Sequence, residues 1–540
     1  MSMDKSNPSS RAAPLLGDEG NRASDSPRSI LKSTSILSLG TLTSRILGFI
    51  RDVILAKIFG TTESADSFFV AFRLSNLWRD LLGEGATNAA VVPVLSEYAG
   101  KDPKDNSTLW RLVSIVFVFF AVILSLITLL GIIAAPAIVR LMAPGFTADQ
   151  DKLMLTVRLT RLLFPYLILI GLTAYSMGIL YTLRSFWWPA FSPCLLNGAM
   201  IISALLASRT MKEPIVGLAA GVLAGGVLQF AAQITALKKL GMRWVRPERM
   251  IHPGCKKIGK LLLPRLLGSG VYQLNIFVDT LCASLATVVG AGGVSAIYYA
   301  NRIIQFPQGI FGVALASVLL PSLSGFALKG DREALKKTLV FSLKNIFLVM
   351  FPVSSICLVL SFPIIRILFE RGEFNPYSTG ITANALLFYA FGLGGYGGVK
   401  IMTTAFYAMQ DTLTPVKVGA FCFLINAALN FLLMGPLKVG GIALASSIAV
   451  SVNFLILFFL MDRKLAGLRE GMLHYVLRLG LASLGMGVVV LWSWTHIGIG
   501  NEFFRLLLAG SLGGGTFMGL SFILGIEGVV RITRWVFQKK

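Results

Sequence analysis

The chain has 540 residues, 55% of them hydrophobic and only 14% charged, with a formal net charge of +23. Soluble globular chains carry about 25% charged residues, so that class is excluded and a chain lying largely within a bilayer is indicated. A basic excess of this size in a soluble protein would point to nucleic acid. Here it fits lysine and arginine gathered in cytoplasm-facing loops, and no nucleic-acid partner is expected.

The first 30 or so residues are rich in Ser, Pro, Asp and Arg and read as a disordered cytoplasmic tail without a signal-peptide core. At ~20 apolar residues per span, fourteen helices follow, near 33–58, 64–98, 109–142, 150–182, 186–208, 212–238 and 258–288, then 291–327, 335–369, 377–409, 413–434, 439–462, 472–497 and 502–528. Several exceed a bilayer's thickness, which predicts tilt or kinks. The loops at 238–260, 328–337 and 461–470 and the tail at 531–540 are strongly basic. Those at 143–151, 288–294 and 496–502 have no Lys or Arg. This alternation places both termini in the cytoplasm.

The sequence also repeats itself. "AFRLSNLWRDLLGEGATNAAVVPVLSEY" (71–98) echoes "ANRIIQFPQGIFGVALASVLLPSLSGF" (300–326), with Pro93 and Pro321 offset by 228. Tyr181 and Tyr407, each eight residues before a proline, are offset by 226. Six helices separate the copies, so they share one orientation. The expected architecture is an all-α polytopic membrane protein. It has an N-lobe (31–239), a basic linker (240–257), a C-lobe (258–463) and two appended helices with a basic tail (464–540). Transporters built from such repeats place their substrate site between the repeats, near the midplane.

Charge inside these spans is the informative feature. An ionised side chain at the bilayer centre costs at least about 2.5–3.5 kcal/mol on insertion scales, yet "SRILGFIRDVILAKIFG" (44–60) carries Arg45, Arg51, Asp52 and Lys57. At about 100° per residue, Arg45 and Asp52 share a face while Arg51 points elsewhere. In the second span Asp66, Arg73, Asp80 and Glu84 form a polar stripe, with Asn76 and Asn88 at its margins and Arg79 on the far side. Arg302 sits at the matching place in the second repeat, and Asp279 and Lys400 add buried charge. Taken singly, these are structural ion pairs or snorkelling side chains. As a set they imply a solvated central cavity. Arginine, with its planar fork and permanent charge, suits an anionic diphosphate.

Other motifs carry less. "GLGGYG" (392–397) lies within an apolar helix with no strand before it, which argues against a dinucleotide role. "GLAAGVLAGG" (217–226) reads as close helix packing. Five scattered cysteines and three histidines offer no disulfide or metal spacing, and no Walker A motif is present.

The run "SRILGFIRDVILAKIFGTTESADSFFVAFRLSNLWRDLLGEGATNAAVVPVLSEY" (44–98) resembles the N-terminal signature of the MurJ/MviN family. "YYANRIIQFPQGIFGVALASVLLPSLS" (298–324) and "FYAMQDTLTPVKV" (406–418) are similar to blocks of the same family. The resemblance runs from about residue 30 to the end. It implies a member of the multidrug/oligosaccharidyl-lipid/polysaccharide exporter superfamily, a transporter rather than an enzyme. Such a protein flips lipid II, the undecaprenyl-diphosphate-linked peptidoglycan precursor, to the outer leaflet of the bacterial cytoplasmic membrane. The family's cavity arginines match Arg45, Arg51, Arg79 and Arg302, and its cavity acids match Asp66 and Glu84. Arg73 and Asn76, from the polar stripe, join them as candidate substrate contacts. No resident cofactor is implied.

In members with a sodium site the ligands match Asp279, Asn426, Asn430, Ile442 through its carbonyl, and Ser446. Two positions depart. Asp80 follows Arg79 where a second basic residue is common, and Asn430 stands where the acidic sodium ligand falls, leaving Asp279 the one negative charge of that set. The partners expected are lipid II, membrane lipids and transient contacts with the cell-wall synthesis machinery, with the chain itself monomeric. The rival readings are a flippase for another lipid-linked oligosaccharide, a drug exporter of the same superfamily, a membrane enzyme acting on the same lipid, and an envelope scaffold. The arginine excess argues against the exporter, and short loops without catalytic groups argue against the enzyme.

Overall fold

The computed structural model describes residues 27–82, 86–99, 107–245 and 252–529, and every regular element among them is helical. The first half consists of α1 (Pro27–Phe59), α2 (Glu63–Leu82), α3 (Ala86–Ala99), α4 (Ser107–Met142), α5 (Gln150–Leu163), α6 (Tyr166–Thr182), α7 (Trp187–Thr210) and α8 (Pro214–Lys239). After the linker come α9 (Pro253–Ser284), α10 (Gly293–Pro307), α11 (Val313–Leu328), α12 (Arg332–Val359) and α13 (Ser361–Phe369). The chain closes with α14 (Pro376–Ala390), α15 (Leu393–Ala408), α16 (Leu413–Leu437), α17 (Val439–Leu465), α18 (Met472–His496) and α19 (Glu502–Ile523).

Local chemistry sets these boundaries. Proline opens α8, α9 and α14, where its missing N–H costs nothing. Asp149, Asp331, Asn375 and Asn501 cap helices by accepting backbone N–H bonds. The expected departure from straight helix seen at a proline is a change of helix type. A π-helical stretch (Gln308–Gly312) follows Pro307 between α10 and α11, where the ring removes a donor and crowds the preceding turn.

Two boundaries differ from expectation. The tail expected at 1–30 lies outside the described residues except for 27–30, which begin α1. The linker ends before 257, because His252 Nδ1 accepts from Gly254 N and starts α9 at Pro253.

By length and composition, ten helices among the described residues are able to cross a membrane, and an eleventh results if α14 and α15, bent by 48°, count as one span. The expected fourteen are not reached on that criterion. Among the segments that fall short are α1 and α2, which carry Arg45, Arg51, Asp52, Asp66 and Arg73. The polar side chains that make these helices interesting also lower their apolarity. Elsewhere the outer faces are apolar: Leu130 and Ile133 on α4 and Leu484 and Val488 on α18 are each at least 65% exposed. Such surfaces suit hydrocarbon rather than water.

Packing joins both neighbouring and distant helices. α1 lies on α7, α7 on α8, and α2 on α5, while α16 lies on α17, α12 on α15 and α18, and α18 on α19. Glycines permit the closest approaches. A Cβ at Gly221 would overlap Ser203, and one at Gly398 would overlap Phe454, so both glycine-rich runs serve helix packing. Lys400 is exposed rather than buried, because α15 turns Gly395, Gly397 and Gly398 inward.

The two halves meet at the end of the bundle where α1 turns into α2. Phe69 of α2 stacks on Tyr298 of α10 at 3.9 Å, and Tyr299 packs edge-on to Phe69 and Phe374. The α1–α2 corner also clasps the α13–α14 corner. Glu373 N donates to Lys57 O at 3.0 Å, and Thr61 and Ser378 share a 2.8 Å hydroxyl bond. Gly60 and Gly372 make this possible: both hold positive φ, and a Cβ on either would collide with the opposite strand of backbone.

Candidate functional site

In the last third of α1, Arg51 and Asp52 are 5% and 2% exposed. Adjacent helical residues diverge by about 100°, which is why Arg51 was expected to point away. Instead its long side chain folds back, and Nε and an Nη donate to Asp52 Oδ1 at 3.0 and 2.7 Å. Further guanidinium bonds reach Asn197 Oδ1 of α7 at 2.9 Å, Met200 Sδ at 3.8 Å and Tyr298 Oη of α10 at 3.1 Å. Tyr298 Oη in turn donates to Asp52 Oδ1 at 3.0 Å. Arg302, one turn further along α10, pairs through Nε with Asp52 Oδ2 at 3.2 Å and lies over the Tyr298 ring. Its side chain remains 33% exposed.

Two guanidiniums thus share one carboxylate across the interface between the halves. A buried ion cluster with unequal charge is costly unless a further anion completes it. Arg45, two turns before Arg51, is half-buried, with its guanidinium against Gly309 of the π-helical stretch. It makes no hydrogen bond or ion pair among the described residues. The cluster therefore has one positive charge in excess and a second nearby.

The other candidates separate by position. Asp66 is 2% exposed and fully engaged: Lys152 Nζ reaches Oδ2 at 3.0 Å, and Ser295 donates to Oδ1 from both N (2.9 Å) and Oγ (2.7 Å). It caps the first turn of α10 from across the interface, where the helix dipole favours a negative charge. Arg73 bonds Thr280 of α9. Asn76 is half-buried, its Oδ1 unpartnered among the described residues. Arg79 lies on α2 with its side chain outside the described set, and Glu84 lies outside the described residues.

Asp52, Tyr298, Asn197, Lys152 and Ser295 were not among the sequence candidates. Asp52 and Tyr298 sat within the quoted motifs, and Lys152 was a charge at the start of an apolar span. Nothing in the sequence marked Asn197 or Ser295. A cavity of about 660 Å³ lies away from the arginines, at the clasped end, lined by Phe59, Met154, Arg158, Glu213 and Glu373 among others.

The sodium-ligand candidates do come together. Asn430 Nδ2 donates to Asp279 Oδ1 at 2.8 Å and to Asn426 Oδ1 at 3.2 Å. Asn426 Nδ2 donates to Ser446 Oγ at 3.2 Å, and Ser446 Oγ to Asp279 Oδ2 at 3.0 Å. Ile442 is fully buried one turn before Ser446. The donor set is oxygen-rich, but amide and hydroxyl hydrogens already face the carboxylate where a cation would sit. As arranged, the residues do not fit a sodium ion.

The family model described as lipid II flippase MurJ matches residues 55–508. The probable lipid II flippase MurJ of Buchnera aphidicola subsp. Acyrthosiphon pisum is 35% identical over 92% of this chain and 98% of its own. The lipid II flippase MurJ of Burkholderia cenocepacia is 34% identical over 84% of this chain and 88% of its own. A solved structure described as lipid II flippase MurJ in an inward closed conformation superposes with a TM-score of 0.76 at 28% identity, covering 90% of this chain and 98% of that one. An inward-facing multidrug resistance MATE family transporter of the MOP superfamily shares the fold, at TM-score 0.67 and 16% identity over 79% of this chain and 96% of its own. On this evidence the chain, a multi-pass membrane protein, belongs to the lipid II flippase MurJ family.

Proposed function

We propose that this protein moves lipid II from the cytoplasmic to the outer leaflet of the bacterial cytoplasmic membrane, as a transporter working by alternating access. The supporting relatives are named for that activity. The observation that carries the reading is the Arg51–Asp52–Arg302 cluster with Arg45 beside it, an anion short of balance between the two halves. A diphosphate brings the missing negative charge and accepts two parallel bonds from each guanidinium.

Asp52 then acts as a stand-in acceptor. Arg302, the more exposed partner, turns from Asp52 to the diphosphate, and the link between α1 and α10 loosens. Residues 31–239 and 258–463 form the two lobes that rock about this site, with 464–540 appended. Cytoplasmic termini place the clasped α1–α2 end on the outer side, so the clasp closes the outer exit while cargo enters from within. No resident cofactor takes part, and the chain works as a monomer, with transient contacts to the cell-wall synthesis machinery.

The test is expression in a bacterium depleted of its own lipid II flippase, followed by exposure of intact cells to an enzyme that cleaves lipid II. Cleavage restored by the wild type and lost with Arg302→Ala, at equal membrane levels, supports both cargo and site. Full restoration by Arg302→Ala removes the arginine site. No restoration by wild type transfers the reading to another lipid-linked oligosaccharide, which shares the diphosphate handle.

A further inference from the structure

We infer that the amide of Asn430 replaces a coupling cation, so that the Asp279 cluster of this chain is closed to sodium. The hydrogen bonds form an unbroken ring: Asn430 to Asp279 and to Asn426, Asn426 to Ser446, and Ser446 back to Asp279. Each donor in the ring meets an acceptor, and both Asn430 amide hydrogens are spent within it. The three polar partners of Asp279 are at least nine-tenths buried. Outside the ring, Arg73 bonds Thr280, the next residue on α9, and its charge acts on the Asp279 carboxylate.

A sodium ion needs several oxygens converging on one point, and here two of the groups that would supply them turn hydrogens toward Asp279. To admit the ion, Asn430 must rotate its amide by about half a turn, as amide oxygen and nitrogen exchange places. That breaks two ring bonds and sets Asn430 Oδ1, now buried without a partner among the described residues, against Asp279 Oδ1. A carboxylate at 430 behaves in the opposite way. It has no hydrogen to donate, and it repels Asp279 unless a cation bridges them. The residue at 430 therefore decides whether the cluster seals itself or takes an ion. This holds whichever lipid is carried.

The test compares wild type, Asn430→Asp and Asp279→Asn, purified in detergent in potassium salt. Retained radiolabelled sodium and the thermal midpoint are measured as sodium replaces potassium. The wild type is expected to retain no more sodium than Asp279→Asn, with no sodium-specific shift in its midpoint. Asn430→Asp is expected to gain saturable sodium binding and a higher midpoint in sodium alone. Saturable binding by wild type that Asp279→Asn abolishes overturns the inference. So does an Asn430→Asp protein that elutes like wild type yet gains no sodium. If Asn430→Asp does not fold, wild type against Asp279→Asn and Ser446→Ala decides the matter.

Discussion

Asp52 holds two arginines, and its removal has a calculable consequence. Asp52→Asn leaves Arg51 and Arg302 facing each other with no carboxylate between them. Breaking a buried pair from one side costs about 3–5 kcal/mol. The variant is expected to show a thermal midpoint several degrees lower and to lose flipping. Restoring both with Asp52→Glu would show that the charge, rather than the shape, is needed.

Asp66 makes a different prediction. Its partners Lys152 and Ser295 place it at the start of α10, away from Arg45 and Arg51. Asp66→Asn keeps a cap for Ser295 N but loses the Lys152 ion pair, so it is expected to lower stability more than it changes lipid II binding. Thermal unfolding and a lipid II pull-down at matched protein amounts separate these effects. That distinction was not legible in the sequence. The polar stripe put Asp66 and Arg73 on one helical face, as they are in α2, but angle does not say which neighbour each residue meets. Lys152 and Ser295 lie 86 and 229 residues away along the chain.

At the scale of elements, the α1–α2 and α13–α14 corners act as one hinge-free clasp built from main chain, two glycines and two hydroxyls. Thr61→Cys with Ser378→Cys puts two thiols where the hydroxyl oxygens are 2.8 Å apart. Oxidation is expected to join the halves and stop flipping, and a reductant to restore it. Undiminished flipping by the cross-linked form would mean that the corners need not part. Glycine spacing and basic loops made the helical packing and the general architecture readable. The clasp was not readable, because the sequence around Gly60 and Gly372 looks like any short loop. Only its tertiary partner gives each glycine a reason to be there. The span count among the described residues differs from fourteen in part for a related reason. α1 and α2, which exchange apolar residues for charged ones, lose the hydropathy by which spans are counted.

For the whole molecule, the diphosphate cargo is an anion leaving a negatively charged interior, a movement favoured by about 2.3 kcal/mol per charge per 100 mV. Dissipating the membrane potential is therefore expected to slow flipping strongly, whereas exchanging external sodium for potassium at constant potential leaves the rate unchanged. Measuring cleavage of surface lipid II under the two treatments checks both halves of the statement. A rate that follows sodium instead would contradict the sealed Asp279 ring. The family could be read from three quoted motifs. The ring's closure could not, since it depends on which way two amides face.

The clasp also sets a population. Its Lys57–Glu373 and Thr61–Ser378 bonds act beside both Ser295 bonds to Asp66, which join α2 to α10. Hydrogen bonds of this kind each contribute about 0.5–1.5 kcal/mol net. If these bonds part in the proposed opening, together they would hold the resting equilibrium well to one side, and a ligand shifts such an equilibrium only by its differential affinity for the two states. Reversing a 99:1 resting ratio takes about 10⁴-fold preference. The resting transporter is thus expected to stay shut to the outside until a cargo with enough charge and contact arrives. Small anions that merely neutralise the arginines would occupy the site without opening the exit, which makes the seam a filter for cargo size as well as a door.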